Sequence, residues 1–114
     1  MLEKVIKALN SYPLDPSYLV KYEESLRLPT PDYESLLNKD PSITRSEGTE
    51  VCNYFGQIRN DEPEGYGVMV MRIRSNDEED IYIRHGLFVN GFEGYFTGQS
   101  IEIEVDNEIS YSEG

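Results

Sequence analysis

The chain has 114 residues, a formal charge of −12 and 38% apolar residues, enough for one compact domain with a real core but not for an elaborate catalytic cleft as well. The acidity is uneven: residues 1–47 hold 8 acidic and 6 basic side chains, whereas residues 48–114 hold 14 acidic ones against Arg59, Arg72, Arg74 and Arg84 alone. Such a field repels nucleic-acid phosphates and anionic lipid headgroups and draws in basic partners, which argues against direct nucleic-acid or membrane binding.

Residues 1–47 read as short helices broken by proline. In LEKVIKALNSY, the residues Leu2, Val5, Ile6 and Leu9 share one helical face and stop before Pro13. In DPSYLVKYEESLRLP, Asp15 is placed to cap and Pro16 to open a second helix, ended by Pro29. TPDYESLLNKDP repeats the device, with Thr30 capping, Pro31 first, and Tyr33, Leu36 and Leu37 on the buried side. Helices this short are marginal alone, so they must pack on something. The stretch SITRSEGTE then reads as a polar connection.

From Val51 the pattern switches to period two with glycine-punctuated turns. VCNYFGQIR, YGVMVMRIR, DIYIRHGLFVN, GFEGYFTG and IEIEVDNEIS are strand candidates, separated by NDEPEG, SNDEED, NG and GQS. Short connections join antiparallel neighbours. The expected fold is therefore α+β: N-terminal short helices packed against an antiparallel β-hairpin meander of about five strands, all in a single domain spanning 1–114, with a helical segment at 1–47 and the sheet at 48–114.

Two stretches of the second half are self-similar. YFGQIRNDEPEGYGVMV and RHGLFVNGFEGYFTG align Gly56 with Gly86, Ile58 with Phe88, Asn60 with Asn90, and Gly65 with Gly94. Gly91 suits the positive φ of a hairpin turn, while Gly56 and Gly67 leave room for a ring or backbone on a sheet face. Through Tyr54, Gly56, Asn60, Gly65 and Gly67 the first copy resembles the MORN repeat (membrane occupation and recognition nexus). The second copy departs from that pattern, with Arg84 where the aromatic belongs and Phe96 in place of the last glycine; YSEG, at 111–114, resembles the opening of a third. The resemblance covers residues 52–114 and implies a curved row of hairpins serving as a protein-binding or scaffolding surface. The acidity argues against the membrane role in the family's name.

Catalytic parts are scarce. His85 is the sole histidine and Cys52 the sole cysteine, so a Cys/His zinc site cannot be built within one chain, nor can an internal disulfide. A Cys52–His85 nucleophile pair from adjacent hairpins is conceivable, but Cys52 as a half-buried strand residue and His85 as a surface or hairpin residue is the simpler assignment. Asp77, Glu78, Glu79 and Asp80 gather oxygen ligands without the alternation or glycine of an EF-hand, and read as a solvated acidic turn. No P-loop, dinucleotide fingerprint or Gly-x-Ser-x-Gly stretch is present, so no enzyme, cofactor or metal is expected. With no secretory leader evident in MLEKVIKALN and one unpaired cysteine, the expected setting is cytoplasmic.

The remaining signal is a row of carboxylates. Glu102, Glu104, Asp106 and Glu108 stand at every second position between Ile101, Ile103, Val105 and Asn107, which puts them on one face of a strand with roughly 6.6 Å between neighbours. Acidic side chains can simply keep a sheet face wet and guard an edge. Here the single sign is notable, because no Lys follows Lys39. The expected function is a non-catalytic protein-binding module whose acidic sheet docks on a basic protein surface. Its contacts would be Glu102, Glu104, Asp106, Glu108, Asp77, Glu78, Glu79 and Asp80, with Tyr54 and Tyr95 as aromatic anchors among Tyr66, Tyr82 and Phe96. The alternative is an acidic nucleic-acid-mimicking inhibitor or immunity protein that blocks a nucleic-acid-binding enzyme.

Overall fold

The computed structural model describes residues 2–11, 33–104 and 109–113. Two helices, α1 (Leu2–Ser11) and α2 (Tyr33–Leu37), precede six strands: β1 (Ile43–Glu47), β2 (Glu50–Arg59), β3 (Glu62–Ser75), β4 (Glu78–Val89), β5 (Tyr95–Ile103) and β6 (Ile109–Glu113). The strands form one sheet in sequence order, each antiparallel to the next. The helix expected at Asp15–Leu28 lies outside the described residues. No helix among them is long and apolar enough to cross a membrane.

Helix α1 turns Val5, Ala8 and Leu9 inward at helical spacing, and α2 adds Leu37. These side chains meet Phe55, Val68, Val70, Ile81, Ile83, Ile101 and Ile103 in one buried cluster. Since strand side chains alternate between faces, this cluster takes every second residue of β2 to β5. Tyr33 of α2 also donates a hydrogen bond from its hydroxyl to the Asn10 side chain of α1, tying the helices together.

Three expectations are corrected. SITRSEGTE is not a connection: Ile43–Glu47 forms edge strand β1, so there are six strands and the sheet begins inside the segment assigned to helices. β1 has little apolar content and is held by its ladder to β2, with the Ser42 amide donating to the Tyr54 carbonyl at 2.7 Å just before it. GQS does not separate two strands, because Gly98, Gln99 and Ser100 pair with Gly86, His85 and Arg84 inside a continuous β5. Finally, SNDEED and NDEPEG shrink to two-residue turns. Asn60 and Asp61 (φ 54° and 60°) and Asn76 and Asp77 (φ 51° and 66°) take the paired positive φ of tight hairpins, so Glu62 and Glu78–Asp80 become strand residues.

Candidate functional site: the open face of the sheet

Pairing carries one residue of each strand along a row, and three rows build the face opposite the helices. One runs Glu47, Glu50, Ile73, Asp80; the next Arg45, Cys52, Met71, Tyr82, Glu102, Ser110; the third Ile43, Tyr54, Met69, Arg84, Ser100, Ser112. Among the described residues no helix covers this face.

Beyond the third row lie four glycines in register, Gly56, Gly67, Gly86 and Gly98. Their missing side chains admit aromatic rings. The Tyr54 ring lies over Gly67, where a Cβ would collide with it, and its hydroxyl donates to the Gln57 carbonyl at 2.7 Å. Phe88 meets Tyr54 edge-on with centroids 5.2 Å apart, and Phe96 packs on Phe88 at 4.9 Å. Arg45 stacks its guanidinium 3.6 Å from the centre of the Phe92 ring. Aromatic rings thus crowd this half of the face, leaving a smaller hollow of about 220 Å³ between Phe88, Phe92, Phe96 and Arg45.

The other half is hollow. A groove of about 450 Å³ runs over Met69, Met71 and Ile73, walled by Tyr82, Glu102 and Tyr111. Carboxylates collect at the end of the face where the β1–β2 and β3–β4 turns lie: Glu47 and Glu50 face each other across the first hairpin, while Glu78, Asp80 and Glu102 follow from β4 and β5. A hydrogen bond to Glu102, with some desolvation and the charges of Glu102, Asp80 and Glu104, raises the Tyr82 phenol above its ordinary range. Tyr82 therefore stays a neutral donor at the groove wall. Neither Asp80 nor Glu102 makes an ion pair among the described residues; the one such pair there joins Arg74 to Glu79 at 3.7 Å on the helix-covered side.

The structure redistributes the residues singled out by sequence. Glu102 is half-buried on the open face, and Glu104 is half-buried just past β5; Asp106 and Glu108 lie outside the described residues. The run 77–80 is split, with Asp77 in the turn, Glu78 and Asp80 on the open face and Glu79 on the other. Tyr54 is fully buried, so it cannot anchor a partner on the folded sheet; its place over Gly67 makes it part of the core. Tyr66 is buried on the helix-covered face, whereas Tyr95 is 75% exposed at the start of β5. Glu47 and Glu50 escaped sequence reasoning, because only the strand registers pair them with each other and line them up with Asp80 across Ile73.

Cys52 and His85 point to opposite faces and form no pair. Burial first, then the charge of Glu50, raises the Cys52 thiol above its ordinary range, although Arg45 and Arg84 oppose the shift. His85 is not a surface residue: it is 4% exposed, between Tyr66 Oη at 2.6 Å from Nε2 and Gln99 Oε1 at 2.6 Å from Nδ1. With Gln99 Oε1 accepting, Nδ1–H is the donor and Nε2 accepts from the Tyr66 hydroxyl, which satisfies a neutral imidazole. No group of three or more His, Cys, Asp or Glu side chains among the described residues is placed to hold a metal. Compared with known protein families, curated proteins and solved structures, the chain matches none.

Proposed function

We propose that the chain is a non-catalytic protein-binding module whose open sheet face docks on a basic segment of a protein partner. One observation carries this reading: a groove lined by Met69, Met71, Ile73, Glu102 and Arg84 ends at the register row in which Glu47, Glu50 and Asp80 flank Ile73, so its acidic end gathers carboxylates from β1, β2, β4 and β5. Thioether side chains adapt their shape to what lies on them, which suits a surface that must be wet in one state and covered in another. The carboxylate rim attracts Lys or Arg at long range and selects against acidic partners. The lone thiol fits a reducing, cytoplasmic setting. Tyr54 lying across Gly67 in a row of four glycines supports the MORN-like reading of the hairpins, in which sheets of this kind serve as scaffolding surfaces.

The nucleic-acid-mimicking inhibitor is the runner-up, supported by the carboxylates that gather on one face. Capture from a cell lysate tests both. The bait is the native chain, a variant with Glu50→Gln, Asp80→Asn and Glu102→Gln, and a control that loses as much charge elsewhere through Glu3→Gln, Asp40→Asn and Asp61→Asn. A basic protein held by the native chain and the control but lost by the open-face variant is the expected result. Equal capture by all three baits would sink the proposal. If the protein caught is an enzyme that nucleic acid displaces, the inhibitor reading replaces the scaffold reading.

A further inference from the structure

Away from the open face, β3 carries two arginines toward the helix-covered side at its far end. Arg72 and Arg74, two residues apart on one strand face, line a hollow of about 420 Å³ with Val51, Glu79 and the β1–β2 turn residues Gly48 and Thr49. Neither helix contributes to that lining. The Nε of Arg72 is buried and has no hydrogen-bond partner. A buried guanidinium donor left empty is uncommon in a folded chain and calls for a partner. Arg74 is poorly engaged: its contact with Glu79 spans 3.7 Å, too long for a hydrogen bond, and its side chain is 72% exposed.

We propose that this hollow binds a small organic monocarboxylate. A guanidinium presents its N–H groups as a planar fork that matches the two oxygens of a carboxylate, and here two such forks border one space with an unused donor already desolvated. The carboxylate takes the Arg72 Nε–H, which is buried in the free chain and turns toward the hollow to be reached, and shares Arg74, while the Val51 side of the hollow receives a short apolar tail. Charge selects the class: with Glu79 in the lining and a chain of −12, a second negative charge on the ligand is penalised, so a monoanion fits better than phosphate. The site is independent of the open-face reading, and failure of either leaves the other standing.

The test follows the arginine Nε–H resonances of the ¹⁵N-labelled chain during titration with butyrate, phosphate or chloride at matched ionic strength. Butyrate should shift the Arg72 Nε–H saturably, and chloride should not. Arg74→Gln should weaken butyrate binding ~10-fold, the loss of one charge-assisted contact. Glu79→Gln should strengthen it several-fold by freeing Arg74 and removing a competing carboxylate. A merely structural role for these residues does not give that pair of opposite effects. Arg72→Lys, with the backbone amide spectrum unchanged, should abolish the saturable shift that butyrate gives at the Arg74 Nε–H. The proposal is overturned if the Arg72 resonance moves equally with chloride, if it does not saturate, if Glu79→Gln has no effect, or if phosphate binds more tightly than butyrate.

Discussion

The two faces of this sheet come from the same strands, yet they are made of different side chains. In YGVMVMRIR the alternation sends Val68 and Val70 under the helices and Met69 and Met71 to the open side. The helix-covered face continues with Ile81, Ile83, Ile101 and Ile103, stiff β-branched residues that interlock with α1 and α2. The open face continues with thioethers, a thiol, aromatic rings and a row of glycines. A permanent interface rewards side chains with few rotamers, because less entropy is lost on packing; an intermittent one rewards side chains that rearrange. The larger buried cluster thus lies on the helix-covered face, the open face holds a smaller one of Cys52, Tyr54, Met69 and Phe88, and on the proposed reading recognition falls to what that smaller cluster leaves uncovered.

The sharpest way to break that comparison is to truncate each face in turn. Ile83→Ala, at 1% exposure beneath the helices, should cost about 3 kcal/mol in urea unfolding, whereas Met71→Ala in the groove floor should cost less than about 1 kcal/mol. Equal losses would mean that the open face is covered in the free protein.

Next in size is Gly67→Ala. Its Cβ meets the Tyr54 ring, so about 2 kcal/mol should be lost, and the double variant with Tyr54→Leu should lose less than the sum of the single changes. On the helix-covered side, Gln99→Leu leaves the His85 Nδ1–H buried without its acceptor, a cost of about 1.5 kcal/mol by thermal or urea unfolding. If this change is neutral, His85 does not depend on Gln99.

The smallest effect is on pH. Because the Cys52 thiol is raised in the folded chain, folding holds that proton more tightly than the unfolded state does. Its contribution is full below the unfolded thiol pKa, near pH 8.5, and is lost as pH rises through the folded value. Tyr82, also raised, adds a second loss beginning near pH 10. Stability measured from pH 7 to 11 should decline on the alkaline side, and Cys52→Ala should remove the earlier part of that decline.

What the sequence disclosed and what it withheld follow from the range of the interactions involved. The inward stripe of α1 through Val5 and Leu9, and the period-two pattern after Val51, depend on neighbours a few residues apart and are legible. So is Asn-led turn chemistry, since Asn60, Asn76 and Asn90 all take positive φ. β1 was invisible because an edge strand whose apolar content is Ile43 has no periodic signal; its ladder to β2 makes it a strand. Gly98 and its neighbours looked like a turn because glycine is permissive. In the sheet, its φ of 152° lets β5 run on beside Gly86.

The candidate site was half legible for the same reason. Glu102 and Asp80 could be picked out as acidic strand residues, but their sharing one end of a face with Glu47 and Glu50 is a matter of register across the five strands β1 to β5. Tyr54 reads as a surface aromatic until Gly67 is placed beneath it. His85 reads as a hairpin residue until Tyr66 and Gln99 close on its two nitrogens.

The central claim is that partners meet the open face. Hydroxyl-radical footprinting of the chain alone and in complex with a captured partner tests it most directly, with modification read residue by residue by mass spectrometry. Met71 and Tyr82 should be modified in the free chain and protected in the complex, while Tyr33 on the helix side stays unchanged. If Met71 and Tyr82 are as reactive in the complex as in the free chain, and protection falls on the helices or on the Tyr95 end of β5 instead, the open face is not the docking surface.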